Sequence, residues 1–380
     1  MIRISSNFDG GAIEVVRAER ADDIALRIRR DSHQDFTQWF YFRLSGVRGQ
    51  QTVVRLVNAG ECTYTNGWPG YDMVASYDRK SWFRVPSTYR DGDLSCSHVP
   101  RFDSVYYAYF EPYSWDRHLD LLARIGQAEA TRVVTLTQTL EGRDLDAIHL
   151  EASTEAAARV WVIARQHPGE TMAEWFVEGL VERLIDADDP LARLARSLAH
   201  FHIVPNMNPD GSVRGNLRTS ATGANLNREW ANPDLQRSPE VFAVRAAMIE
   251  TGVDQFLDVH GDESLPYVFV AGSEMLPSFS AQQQREQDAF ISDFKDASPD
   301  FQSEHGYASD KHSVDALKLA SKWVGNHFSC LSLTLEMPFK DNANLPDRLH
   351  GWSGARSRHL GAAALFPIVR SLQRRRAGSV

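Results

Sequence analysis

Arg165-Gln166-His167-Pro168-Gly169-Glu170 sets an imidazole and a carboxylate three residues apart. The apolar run Val160 to Ala164 precedes them and a helical pattern follows at once, so both side chains leave a strand end together and can face one cation. A catalytic zinc takes three protein ligands and keeps a fourth position for water, so a third ligand has to come from elsewhere. His260, in Asp258-Val259-His260-Gly261, also follows an apolar run and emerges at the same kind of edge. The tetrapeptide is not decisive by itself, because His260-Gly261-Asp262-Glu263 is a second His-x-x-Glu in a chain of thirteen histidines.

Three further segments carry groups with a chemistry. Asn208-Pro209-Asp210-Gly211, Asn216-Leu217-Arg218 and Asn225-Leu226-Asn227-Arg228-Glu229-Trp230 follow the run Phe201 to Pro205. Guanidinium forks bind carboxylates bidentately and stabilise oxyanions, and an Asn amide adds a neutral donor, so Arg218, Asn227 and Arg228 form a receptor for an anionic group. Taken alone, the same loop fits a solvated turn rich in Asn, Pro, Asp and Gly better. Glu336 ends the apolar run Leu331 to Leu335. A carboxylate there is costly unless it has a task, and beside a metal it can take a proton from water; the alternative is a strand-end Glu turned to solvent. Lys318 and Lys322 stand upstream at helical spacing, either as positive charge for a pocket or as surface lysines.

The elements that must hold these groups are α/β. Runs Val133–Thr137, Val160–Ala164, Phe201–Pro205, Phe256–Val259, Tyr267–Ala271 and Leu331–Leu335 read as buried strands. Between them, Ala173–Leu184, Pro239–Glu250 and Ala281–Phe294 carry apolar residues at three- and four-residue spacing. Strands alternating with helices predict a parallel or mixed sheet covered on both faces, with reactive groups at strand ends. Upstream, from Ile13 to about Tyr113, short aromatic and β-branched runs (Ile24–Ile28, Trp39–Phe42, Thr52–Val57, Val105–Phe110) are punctuated by Gly, Asn, Asp and Pro, which predicts an antiparallel β-sandwich. The expected domains are 1–114 and 115–380, in line with a length of 380 residues.

Composition narrows the partners. Lys plus Arg number 41 against 50 Asp plus Glu, a net charge of −9, which disfavours duplex DNA and anionic membranes. Arg374-Arg375-Arg376 reads as a solvated, frayed tail. Cys62, Cys96 and Cys330 are too few and too scattered for a disulfide framework, and neither a signal peptide nor a membrane span is evident, so a cytoplasmic protein is expected. Oligomeric state has no sequence signal.

These motifs, in this order, resemble the zinc metallocarboxypeptidases, and the His-Pro-Gly-Glu form is similar to their cytosolic carboxypeptidase branch. Gln38-Trp39-Phe40-Tyr41-Phe42-Arg43 and Tyr107-Ala108-Tyr109-Phe110-Glu111-Pro112-Tyr113-Ser114 are similar to segments of the β-sandwich that precedes the catalytic domain in that branch. The resemblance implies that His167, Glu170 and His260 hold one zinc ion per chain, the His2Glu set of carboxypeptidase A, and that Glu263 need not be a ligand. It further implies Glu336 as general base, Arg218 as holder of the developing oxyanion, and Asn227 with Arg228 as the grip on the substrate's terminal carboxylate. The implied substrate is a peptide or protein C-terminus, with glutamate a frequent leaving residue in that branch. Many members close the site with a tyrosine; Lys311-His312-Ser313-Val314-Asp315 has none, and Tyr307 is the nearest candidate. Two rival readings are an aminoacylase-like zinc deacylase and a non-catalytic peptide binder of the same fold. The deacylase motif usually reads His-Gly-x-Glu without such a first domain, and an intact ligand set, base and clamp argue against a degenerate binder.

Overall fold

The computed structural model describes residues 1–154, 157–274, 276–307 and 314–378. Along the first part run Arg3–Ser5 (β1), Glu14–Arg20 (β2), Asp23–Arg27 (β3), Tyr41–Ser45 (β4), Thr52–Leu56 (β5), Met73–Ser76 (β6), Trp82–Val85 (β7), Ser87–Arg90 (β8), Asp93–His98 (β9) and Ser104–Ala108 (β10). They form two sheets, β1-β4-β10-β6-β7 and β2-β3-β5-β9-β8, antiparallel throughout except for the parallel pair β3–β5. Strands such as β5 alternate buried and half-buried residues, as a sheet with one face on a core must. The core between the sheets is aromatic: Phe42 and Tyr107, for example, stack at 5.5 Å.

The second part contains Trp115–Ile125 (α1), Thr131–Gln138 (β11), Asp144–Leu150 (β12), Ala158–Ala164 (β13), Met172–Leu184 (α2), Pro190–Leu198 (α3), Ala199–Val204 (β14) and Pro209–Arg214 (α4). Pro239–Thr251 (α5), Gln255–Asp262 (β15), Phe269–Ala271 (β16), Ala281–Ala297 (α6), Ala320–Phe328 (α7), Leu331–Pro338 (β17) and Gly354–Ala377 (α8) complete it. The sheet order is β11-β12-β14-β13-β15-β17-β16; β14, β13, β15 and β17 are parallel, with antiparallel strands on both flanks. Strand β13 shows why its sequence is apolar without alternation. Val160, Val162 and Ala164 pack with α2 and α8, whereas Trp161 and Ile163 pack with α5 and α7.

Two expectations are corrected. Val133–Thr137 is a strand but not a buried one: β11 is the sheet edge, and Val133 is 36% exposed. Arg374–Arg376 is not a frayed tail but the last turn of α8, where Arg374 pairs with Asp293 and Arg375 with Asp254 at 2.8 Å. Cations there also complement the helix dipole. The three cysteines are buried and unbridged, and no helix among the described residues is long and apolar enough to cross a membrane.

One buried arginine staples the two parts together. Arg84 of β7 donates to Asp72 O at 2.7 Å, Phe339 O at 2.8 Å, Trp352 O at 2.9 Å and His350 O at 3.1 Å. Phe339 directly follows β17, and its ring stacks on Tyr109 at 4.6 Å. Arg84→Met would strand these carbonyls, each costing about 1–3 kcal/mol when buried without a donor. Urea unfolding should therefore show a loss of about 3 kcal/mol or more; a loss within about 0.5 kcal/mol, the scale of an ordinary surface change, would show that the staple is not needed.

Candidate active site

The parallel register brings the reactive groups together. Ala164 of β13 lies opposite Val259 of β15, and His260 lies opposite Glu336 of β17, so three strands end side by side. The chain leaves β13 through Arg165, whose φ of 56° is left-handed, an uncommon backbone for a residue with a side chain. The surroundings hold it there: Arg165 donates to Pro168 O at 2.9 Å, Tyr113 O at 2.9 Å and Glu174 at 2.6 Å. Gly169 then passes so close to the Arg218 loop that a Cβ would stand 3.0 Å from Leu217 O, which accounts for glycine in the motif.

His167, Glu170 and His260 converge, with one ligand atom from each lying within 4.8 Å of the others. Glu170 spans the two imidazoles: Oε1 is 2.6 Å from His167 Nδ1 and Oε2 is 2.7 Å from His260 Nδ1. The other ring nitrogens face acceptors, His167 Nε2 lying 3.1 Å from Asn225 Oδ1 and His260 Nε2 3.0 Å from Asp258 Oδ2. Two imidazole nitrogens and a carboxylate packed this closely in a buried pocket make a site for a cation. The donor set therefore fits zinc, with two neutral imidazoles and one carboxylate. Burial, then Arg218, pushes His167 down to about 3, so it stays uncharged as a ligand must. Burial works against charge at the other two, yet Asp258 and Glu170 hold His260 well above its usual range and the histidines hold Glu170 below its own. The local field favours positive charge at this point.

Around it opens a cleft of about 750 Å³ to which Arg218, Asn227, Arg228 and Glu336 all contribute. Glu336 is buried, and its Oε2 has no hydrogen-bond partner among the described residues. Burial and the nearby Glu170 push it above the usual carboxylate range against the pull of His260. Asn227 is held by Ala320 N–H on its Oδ1 at 2.9 Å, with its amide nitrogen 3.3 Å from His260 Nε2. Arg228 is exposed to the cleft and anchored through Nη1 to Asn227 O at 2.7 Å. Tyr307, half-exposed, donates to Asp262 at 2.9 Å and faces Glu336. Lys311, His312 and Ser313 lie outside the described residues. Of the two lysines, Lys318 is a surface residue paired with Asp315 at 2.7 Å, whereas Lys322 is only 7% exposed and lines the cleft.

Sequence reasoning passed over the groups behind the ligands. Trp230 Nε1 donates to Gln166 Oε1 at 2.8 Å, and Gln166 Nε2 donates to Asp258 at 2.8 Å and 3.0 Å, a buried relay ending on His260. Asp258 had a legible signal, since residues two apart on a strand share a face. Glu263 lies outside the convergent trio as a buried wall of the same cleft, pushed up to about 8 by burial and by Glu170. Tyr64, from the N-terminal sandwich, lines the cleft as well, which no local pattern in the sequence announces.

Residues 119–349 match the family model of zinc carboxypeptidases, and residues 4–110 match that of the cytosolic carboxypeptidase N-terminal domain. The chain belongs to the zinc carboxypeptidase family. A metallo-carboxypeptidase from Burkholderia cenocepacia shares 58% identity and a TM-score of 0.96, covering 98% of this chain and 99% of that one. A metallo-carboxypeptidase from Pseudomonas aeruginosa, solved in complex with (2-guanidinoethylmercapto)succinic acid, shares 42% and a TM-score of 0.95 over 97% and 100%. Cytosolic carboxypeptidase 6 of Caenorhabditis elegans is 25% identical over 88% of this chain and 78% of its own length. The protein is thus a metallocarboxypeptidase, a peptide hydrolase whose family implies a zinc cofactor. In this carboxypeptidase Asp258 Oδ2 lies 3.0 Å from His260 Nε2, so Asp258→Asn should weaken zinc retention about 10- to 100-fold in competition with a chromogenic chelator. Unchanged retention would show that this contact does not serve the metal.

Proposed function

We propose that the chain removes single residues from the C-termini of peptides or protein tails, using one zinc ion held by His167, Glu170 and His260. The observation that carries this reading is the convergence of those three ligand atoms beside Glu336, directly opposite His260 in the sheet register. When bound, zinc supplies Lewis-acid chemistry and lowers the pKa of water. Glu336, poised without a partner on Oε2, takes the proton of the attacking water and returns it to the leaving amine. The fork of Arg218 holds the negative charge that develops on the scissile carbonyl oxygen. Asn227 and Arg228 receive the terminal carboxylate and so restrict cleavage to chain ends. Tyr307 closes the site in place of the tyrosine that Lys311–Asp315 lacks.

Lys322, buried in the cleft lining, supports a preference for an acidic last residue, glutamate above all, because it adds positive charge to that lining. The Pseudomonas aeruginosa relative holds, by its name, a dicarboxylic acid, which supports carboxylate reception in this cleft. Residues 1–114 act as a sandwich framing the cleft and 115–380 as the catalytic domain, and the names of the cytosolic relatives support work in the cytoplasm.

A peptide pool varied at its last residue, incubated with zinc-loaded protein and with a chelated control, should lose single C-terminal residues only with metal, glutamate fastest, by mass spectrometry. Preferred release of lysine or arginine would overturn Lys322 as the determinant, and hydrolysis of acylated amino acids alone would make the protein a deacylase. Glu336→Gln should retain zinc and lose at least about 10²-fold in kcat; near-normal turnover would remove Glu336 as base. For Arg228→Ala, KM should rise for free C-termini far more than for amidated ones; equal changes would sink the clamp.

A further inference from the structure

Arg218 stands on a loop of the catalytic part, yet what shapes that loop comes from the sandwich. The carboxylate of Asp31, between β3 and β4, accepts three consecutive backbone N–H groups: Leu217 on Oδ1 at 2.6 Å, and Arg218 at 2.8 Å and Thr219 at 2.9 Å on Oδ2. The Thr219 hydroxyl adds a fourth donor at 3.0 Å. Converging amides of this kind form a concave anion seat. An ionised carboxylate, all acceptor, is the side chain that can fill it with both oxygens. Asp31 is buried, and its own N–H donates to Phe36 O at 2.8 Å, closing a short loop that carries both residues.

Phe36 acts on the other end of the same arginine. The guanidinium carbon of Arg218 lies 5.8 Å from the Phe36 ring centre and 5.6 Å from that of Tyr64, within cation–π range of both. The neighbouring residue is tied down too, since Asn216 Oδ1 accepts from Ser32 N at 3.1 Å and Ser32 Oγ at 3.2 Å. Backbone and side chain of Arg218 are thus both set by residues 31–64, more than 150 positions upstream. An arginine side chain is long and rotamer-rich, so its fork stays on a reacting oxygen only where its surroundings fix it.

We propose that Asp31 is a positioning residue for Arg218, and that with Phe36 and Tyr64 it makes the N-terminal sandwich an integral part of the catalytic centre rather than a separate recognition module. The proposal rests on Arg218 as the oxyanion holder, and it assigns the sandwich a share of transition-state stabilisation while leaving the metal ligands and the carboxylate clamp to the second part. Losing Asp31 then slows turnover without loosening substrate or metal.

The test compares the full-length, zinc-loaded wild type with Asp31→Asn, Arg218→Ala and the double variant, on the peptide the wild type shortens fastest. Asp31→Asn leaves one acceptor where two oxygens served, and kcat should fall about 10- to 100-fold, the scale of a displaced catalytic group. KM should stay within about threefold, with zinc content unchanged. In the Arg218→Ala background the same substitution should have no further effect on kcat, because the group it positions is gone. Hydrogen exchange read by mass spectrometry should show peptides spanning 214–224 exchanging faster in Asp31→Asn, whatever the activity. Equal losses in both backgrounds, an unchanged kcat or unchanged exchange would each overturn the proposal. Should Asp31→Asn fail to fold, Tyr64→Leu takes its place in the same cycle, as Tyr64 lines the open cleft; additivity with Arg218→Ala would then be the overturning result. A wild type that shortens no peptide strikes the proposed function itself, and the exchange measurement still decides whether Asp31 orders the loop.

Discussion

The carboxylate of Glu170, wedged between two imidazole nitrogens in a buried pocket, is the constraint on which this molecule turns. Its oxygens lie 2.6 and 2.7 Å from the two Nδ1 atoms, and a buried carboxylate is costly without positive charge beside it. Much of the local architecture can be read as reinforcement. Arg165 takes a left-handed backbone so that Gln166 and His167 leave β13 in their required directions, and Pro168, Tyr113 and Glu174 hold it there. Asn225 and Asp258 hold the far nitrogens of the two rings. A ligand set of this kind is only as good as the groups behind it.

The cleft sorts its charges by burial. Glu336 and Glu263 sit in the same wall and are both pushed up by desolvation, yet only Glu336 faces the ligand His260 across the parallel register. Arg218 and Arg228 line the same cleft and bring positive charge to it. Lys322, buried at the cleft, adds a third cationic group to a chain whose net charge is −9. The overall acidity therefore says little about the substrate, because the local field in a low-dielectric cleft is set by a few near charges.

The sandwich and the α/β part meet through polar groups as much as through apolar ones. Arg84 reaches from the sandwich to the carbonyls around β17, and Asp31 reaches to the amides of the Arg218 loop. Both are buried and multiply bonded, and such contacts fix a relative orientation more sharply than an oily interface would. Stacking of Tyr109 on Phe339 adds apolar contact at the same seam. The cleft has walls from both parts, Tyr64 coming from the sandwich and Glu263 from the α/β part.

The amino-acid sequence by itself determined the fold class and the family and marked the candidate site residues, because those depend on short patterns. Apolar runs without alternation mark β13, β15 and β17, and a His, a Glu or both at each run's end marks what the strand delivers. Patterns failed where identity depends on a distant neighbour. The strand of residues 133–137 was legible but its exposure was not, since an edge position is a property of the sheet. The arginines at 374–376 carried no sign of Asp293 or Asp254, their partners 81 and 121 residues away along the chain. Lys318 and Lys322 looked alike at helical spacing, and only packing made one a surface residue and the other part of the cleft. Likewise Asp31 and Tyr64 bear no motif of their own. Their roles come from contacts across the fold, and only the tertiary structure decides which distant donors a buried acceptor must satisfy.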